Sequence, residues 1–237
     1  MSDVAFVAGA TGYAGREVVR ALRARGARVH AHVRPDSARL AEWRERFGEL
    51  GAVIDVSPWD AHAITGTISR IQPTHVFALL GTTRARARAE PGASYETVDY
   101  GLTHTLIQAT TQAAPDALFV YLSALGARAG ARSAYLAVRG RIEQELQTST
   151  LRHLVARPAL ITGPDRDDRR PAEQLAARIV DAALSAARSV GARSIHASYA
   201  SLTGREVGEG LAILALAGTT GVVGPRELRR AASPAPA

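Results

Sequence analysis

The stretch that most constrains this chain is residues 4–22. Val4-Ala5-Phe6-Val7-Ala8 is an apolar run of strand length. Gly9-Ala10-Thr11-Gly12-Tyr13-Ala14-Gly15 follows, with its glycines spaced G-x-x-G-x-x-G. The next residues carry a helical pattern that sets Ala14, Val18 and Leu22 on one face. Glycines let a backbone turn tightly and come close to a bound group. The helix that follows offers unpaired N–H groups and a positive dipole end to an anion. Glycine spacing alone is a weak signal, since an ordinary strand-turn-helix accounts for it. A strand before, a helix after and a second strand at residues 28–33 favour a cradle for the diphosphate of a dinucleotide.

Composition narrows the alternatives. A chain of 237 residues suits one domain or one domain with a small appendage. It has no Cys, so thiolate nucleophiles, thiolate metal sites and disulfides are excluded. Its formal net charge is +7, yet it contains no Lys and no Asn, so every cationic side chain apart from His is Arg. The cluster Arg84, Arg86 and Arg88 lacks the interleaved aromatics that stack bases. A solvated Arg-rich surface is therefore expected, and no nucleic-acid partner. Without Lys, no amine is present to act as base, Schiff-base former or proton relay. No apolar stretch approaches the roughly 18 residues of a membrane span, and no leader segment is visible. The expectation is a cytoplasmic protein with no membrane partner.

Strands and helices alternate along the chain, predicting an α/β fold with a doubly wound parallel sheet. The second strand ends at Arg34-Pro35-Asp36-Ser37. An acid here reads a ribose 2′-hydroxyl and favours NAD, whereas an Arg accommodates a 2′-phosphate and favours NADP. Arg34 lies at the strand end with a fork of donors. Asp36 has the spacing of an NAD-reading acid, but Asp36 or Ser37 serves equally as a helix cap. NADP(H) is the preferred expectation, with NAD(H) the alternative. Asp55 and Val56 end the third strand, where Asp55 either touches adenine or caps the turn before Pro58. His75 opens the fourth strand at no metal-ligand spacing, and no metal is expected. That strand exits through Leu80-Gly81-Thr82, where Gly81 permits close approach of a ligand.

A helix is expected over residues 95–113, a fifth strand ending at Leu122-Ser123, and a helix over about 133–147. In the latter, Tyr135 and Arg139 share a face. A sixth strand is expected over residues 151–161. After Pro164 come a charged loop at 165–170, a helix at 171–189, a short strand at 195–199, a helix at 203–217, a short strand at 221–223 and a last turn through Leu228. Residues 1–164 form the expected dinucleotide-binding core and 165–230 a smaller substrate-side region of one domain, with a disordered tail from 231.

The joint pattern of Gly9, Gly12 and Gly15, Ser123, Tyr135-x-x-x-Arg139 and Arg157-Pro158-Ala159-Leu160-Ile161-Thr162-Gly163-Pro164 resembles a short-chain dehydrogenase/reductase of the extended or atypical branch, a Rossmann fold. Residues 80–84, 122–127 and 135–143 are most similar to the Tat-interactive-protein type of NAD(P)H-binding reductases. The resemblance implies a coenzyme surface built from Gly9, Thr11, Gly12, Tyr13, Ala14, Gly15, Arg34, Asp55, Val56, Leu80, Gly81, Thr82, Leu122, Ser123, Tyr135, Arg139, Pro158, Ala159, Leu160 and Ile161. It implies Tyr135 as the general acid/base and Ser123 as the donor to a substrate oxygen. Arg139 stands where relatives carry a Lys that binds the nicotinamide ribose and acidifies the Tyr. Arg139 keeps the charge but cannot relay a proton. Asp99 stands where many relatives carry Asn, and Ala124 where a second Ser is frequent.

The resulting expectation is an NADPH-dependent oxidoreductase of a small carbonyl or hydroxyl substrate, with a homodimer left open. A non-catalytic NADP(H)-binding regulator is the alternative, and a nucleotide-sugar epimerase or dehydratase the third reading.

Overall fold

A computed structural model describes residues 2–82, 92–162 and 201–233. The expected cluster at Arg84 to Arg88, the charged loop, and the helix and strand expected between 171 and 199 lie outside the described residues. The elements alternate as β1 (Val4–Ala8), α1 (Tyr13–Arg23), β2 (Arg28–His32), α2 (Leu40–Glu49), β3 (Val53–Asp55), α3 (Ala61–Ile71) and β4 (His75–Ala78). A π-helical segment, Tyr95–Gly101, then runs into α4 (Leu102–Ala113). It is followed by β5 (Leu118–Leu122), α5 (Ala134–Thr148), β6 (His153–Ala156) and β7 (Ile161–Thr162). Last come β8 (Leu202–Thr203), α6 (Gly204–Leu216), β9 (Gly221–Val223) and α7 (Pro225–Ala232).

The strands form a seven-stranded sheet in the order β3-β2-β1-β4-β5-β6-β9. Every pairing is parallel, as the doubly wound expectation requires. The order reverses at β1, so the crevice between the carboxyl ends of β1 and β4 is where such a sheet takes a ligand. Parallel strands need both faces covered, and strand residues alternate between two cores. Val7, Phe77 and Val120 face α1, α2 and α6 through Val18, Leu22, Phe47 and Leu211. Phe6, Phe119 and Tyr121 face α3, α4 and α5 through Ile64, Ile68, Leu106 and Ile142.

Three local outcomes differ from the sequence expectation. The sixth strand is two: β6 stops at Ala156, and β7 pairs with β8 in a separate two-stranded sheet. Pro158 lacks an amide for a ladder, and its carbonyl instead accepts from Leu125 N at 2.9 Å. The helix expected from residue 95 starts as a π-helical turn whose Ser94 side chain caps Thr97 N at 3.0 Å. The last helix reaches Ala232, inside the stretch expected as tail, because Ala231 and Ala232 continue a helix already nucleated at Pro225.

Candidate functional site

The glycine turn is built by close approach. Gly9 has φ +80°, and a Cβ there would lie 2.5 Å from the Leu79 carbonyl oxygen of the β4 exit. A Cβ on Gly15 would collide with Gly9 O, so only hydrogen lets α1 settle onto the turn. Gly12 is the N-cap of α1 and donates its N–H to Gly9 O at 3.0 Å. Gly12 has no side chain to cap this helix end, and its first turn carries no acid. The orphan amides of that turn, the lack of an acid among its own residues and the shaved backbone fit a diphosphate. Thr11 and Tyr13 are half-buried on the turn and Ala14 is buried. Tyr13 donates its hydroxyl to Thr162 O at 3.2 Å, and its ring leaves no room for a Cβ at Gly204 on α6.

Arg34, just past β2, is exposed, with its Nε 3.9 Å from Asp36. Asp36 does not cap α2, whose N-cap is Arg39; Ser37 Oγ reaches Arg39 N at 3.4 Å. Asp55 is buried and accepts from Ser57 N and Ser57 Oγ, each at 3.1 Å, and from Arg70 at 3.4 Å. It therefore closes the turn ahead of Pro58. Val56 lies beside it, half-buried.

Arg139 ties the ends of the two central strands together. Nη2 donates to Leu80 O at 3.1 Å and to Asp99 Oδ1 at 2.8 Å. Nη1 donates to Tyr121 Oη at 3.3 Å and to Leu122 O. Asp99 Oδ2 accepts from Thr82 N at 2.8 Å, so the same ion pair also pins the β4 exit. Arg139 Nε is buried without a partner. The guanidinium carbon lies 5.1 Å from the Tyr135 ring centre and 5.5 Å from that of Tyr121. Burial alone would push the Arg139 guanidinium down, but Tyr121, Tyr135 and Asp99 outweigh it, and the net direction is up. Burial pushes the Tyr121 phenol well above the usual range, and Arg139 counters only part of that. Gly81 must lack a side chain here, since a Cβ would lie 2.8 Å from Arg139 Nη2.

The sequence reading makes Arg139 a ribose anchor. In the folded chain four of its N–H groups serve protein acceptors, and only Nε is left over. Two residues that sequence reasoning misses as site components explain this. Tyr121 reads as an ordinary strand residue, and Asp99 reads as a departure from a pattern. The signal for the pair is present in the sequence: an Arg in place of Lys together with an Asp in place of Asn.

Ser123 follows β5 and is buried. Its hydroxyl donates to Glu143 Oε1. Glu143, on α5 beyond Tyr135, is held by Arg157, whose Nε lies 3.0 and 3.2 Å from its two oxygens and whose Nη2 donates to Oε2. Tyr135 is half-buried, with the Tyr95 ring at 5.4 Å. Pro158 is buried, and Ala159, Leu160 and Ile161 are half-buried on the segment leaving β6, where Leu160 O accepts from Leu202 N at 2.9 Å. The carboxyl edge of the sheet thus carries the glycine turn after β1, Leu80-Gly81-Thr82 after β4, Leu122-Ser123 after β5 and Pro158 after β6, with Tyr135 on the adjoining helix.

Comparison with known proteins agrees with this layout. Residues 5–192 match the NAD dependent epimerase/dehydratase family. "Protein fmp52, mitochondrial" of Emericella nidulans is 30% identical over 182 residues, spanning 74% of this chain and 73% of its own. Among solved structures, the UDP-glucose 4-epimerase of Thermus thermophilus in complex with NAD superposes with a TM-score of 0.64 at 18% identity, over 98% of this chain and 82% of that one. A doubly substituted mutant of a Serratia marcescens short-chain dehydrogenase/reductase gives 0.61 at 16% identity, over 93% and 94%. Among the described residues no helix is long and apolar enough to cross a membrane. The fungal relative's name is mitochondrial, so it lends no support to the cytoplasmic expectation. With its Rossmann sheet order, its glycine turn and this match over most of its length, the chain belongs to the NAD dependent epimerase/dehydratase family, among the extended short-chain dehydrogenases/reductases.

Proposed function

We propose that the protein is an oxidoreductase that prefers NADP(H) and moves a hydride to or from a small carbonyl or hydroxyl compound. The supporting observation is the gathering of Tyr135, the Arg139 guanidinium and Ser123 at the sheet edge that also carries the glycine turn. The amides of α1 behind Gly9, Gly12 and Gly15 would hold the diphosphate, and Arg34 the 2′-phosphate. The coenzyme, when bound, supplies or accepts the hydride. Tyr135 exchanges a proton with the substrate oxygen, and Ser123 orients that oxygen. Arg139 holds the Tyr135 ring against its cationic face and keeps the β4 and β5 exits in register.

The test is steady-state turnover over panels of carbonyls with NADPH and alcohols with NADP⁺. Tyr135→Phe should lower kcat by about 100-fold or more. Unchanged turnover in that variant removes Tyr135 from the mechanism. A second reading, coenzyme binding without turnover, draws on the Arg139–Asp99 and Ser123–Glu143 pairs, which already engage two of the reacting groups. It predicts coenzyme binding with no oxidation in either panel. The family match also admits an epimerase or dehydratase of a nucleotide-linked sugar, which turnover of UDP-sugars separates from both.

A further inference from the structure

The Ser123 hydroxyl has one hydrogen, and the structure says where it goes. Glu143 is buried and is held by Arg157 through both carboxylate oxygens. With Arg157 donors on both of its oxygens, Glu143 serves as an acceptor on every side. The hydrogen between Ser123 Oγ and Glu143 Oε1 is therefore the serine's. Toward any other partner Ser123 presents lone pairs alone.

We propose that Glu143 is a specificity-determining positioning residue: it fixes Ser123 as a hydrogen-bond acceptor, so that the site selects a ligand group that donates there, a hydroxyl rather than a carbonyl oxygen. This rests on the placement of Ser123 against the substrate oxygen under the proposed function, and it narrows the class held best to compounds in their alcohol form, whose hydroxyl hydrogen lies on Ser123 in the bound state and turns to Tyr135 when the proton is exchanged. A carbonyl offered to Ser123 meets lone pairs. Turning the hydroxyl around to meet it would strip Glu143 of a bond in a buried setting, a penalty that reads as about tenfold or more in affinity.

Glu143→Gln reverses the arrangement for a geometric reason. Arg157 Nε reaches both oxygens, but Nη2 faces Oε2 alone, so Nη2 holds the new amide oxygen on that side. The amide nitrogen then faces Ser123 and donates to it. Ser123 must accept from that amide and is free to donate outward.

The experiment measures dissociation constants of matched pairs, cyclohexanol against cyclohexanone and benzyl alcohol against benzaldehyde, by ligand-observed NMR. Alcohols are titrated with reduced coenzyme present and carbonyls with oxidised coenzyme, so that nothing turns over. Wild type, Glu143→Gln and Ser123→Ala are compared, with melting curves to confirm folding. The expected result is that Glu143→Gln weakens the alcohols and tightens the carbonyls, shifting their ratio by about tenfold or more. Ser123→Ala should weaken the alcohols and leave no preference. An unshifted ratio in a folded Glu143→Gln, or no binding by either member of a pair, overturns the proposal. Should Glu143→Gln fail to fold, a neutron structure of the wild type decides the question. A deuteron on Ser123 Oγ aimed at Glu143 upholds the assignment, and one aimed elsewhere overturns it. Hydride transfer is scored separately: its absence alongside an intact ratio shift sinks the oxidoreductase reading and leaves the acceptor assignment standing.

Discussion

Arg139 Nη2 donates to Asp99 Oδ1 across 2.8 Å, with the Asp99 side chain fully buried and that of Arg139 only 7% exposed. The pair is neutral as a unit, and it is more than an isolated contact. Leu80 O, Leu122 O, Tyr121 Oη and Thr82 N complete it, so charge is buried only where hydrogen bonds accompany it. The pairing also keeps most of the guanidinium from a ligand. The Arg and the Asp at these two departures from the family pattern are thus each other's partners.

Breaking one half of this pair should cost far more than breaking both. Asp99→Ala leaves a buried guanidinium without its counter-charge, and Arg139→Met leaves a buried carboxylate. Each should destabilise by about 3–5 kcal/mol in urea unfolding. The double variant should lose clearly less than the sum of the two. Single losses under about 1 kcal/mol would mean that the pair is not closed in solution.

Stability should fall on the acid side of neutrality. His32 donates Nε2–H to Ser57 O at 2.9 Å, and His75 sits with Thr74 Oγ1 2.8 Å from Nδ1 and Ala215 O 3.1 Å from Nε2. Burial pushes both imidazoles below their ordinary value of 6.5. The unfolded chain then binds more protons than the folded one below that value. Stability is therefore full above it and declines as pH falls through it. Urea midpoints taken between about pH 7.5 and pH 5 should drop with acid. His32→Gln should flatten the slope; an unchanged slope would remove His32 from the effect.

Coenzyme choice should depend on Arg34. The residue is exposed at the β2 exit, with Asp36 within 3.9 Å. Arg34→Ala should weaken NADPH by about tenfold or more while changing NADH by less than about threefold. Equal weakening of both would show that Arg34 does not meet a 2′-phosphate. Asp36→Ala should favour NADPH, because it removes a carboxylate from that neighbourhood.

The sheet is legible in the sequence because its signals are local. An apolar strand, a glycine turn and a 3.6-residue periodicity repeat down the chain, and Val18, Leu22, Leu106 and Leu211 fall inside as their spacing demands. The glycine turn is legible as well, although its demand on Leu79 is a contact between β1 and β4 exits that no sequence window contains. Partnerships in the site are far less legible. Asp99 meets Arg139 from 40 residues away, and Ser123 meets Glu143 from 20. Only the fold tells which carboxylate closes on which donor. The end of β6 is misjudged because a run of apolar residues outweighs Pro158, whose missing amide breaks the ladder.

The most direct measurement is a calorimetric titration of wild type and Gly12→Asp with NADP⁺, NADPH, NAD⁺ and NADH. Gly12 has φ −70° and ψ 164°, which any L-residue adopts at an N-cap, although the new Cβ sits a tight 3.2 Å from Gly9 O. An Asp there caps α1 and sets a carboxylate where the diphosphate would lie. Wild type should bind saturably at one site, NADP(H) more tightly than NAD(H). The variant should melt at or near the wild-type temperature and lose binding by about tenfold or more. Wild type that gives neither heat nor a melting shift with any of the coenzymes, or a folded Gly12→Asp that binds as wild type does, would contradict the assignment of the glycine turn as a diphosphate site.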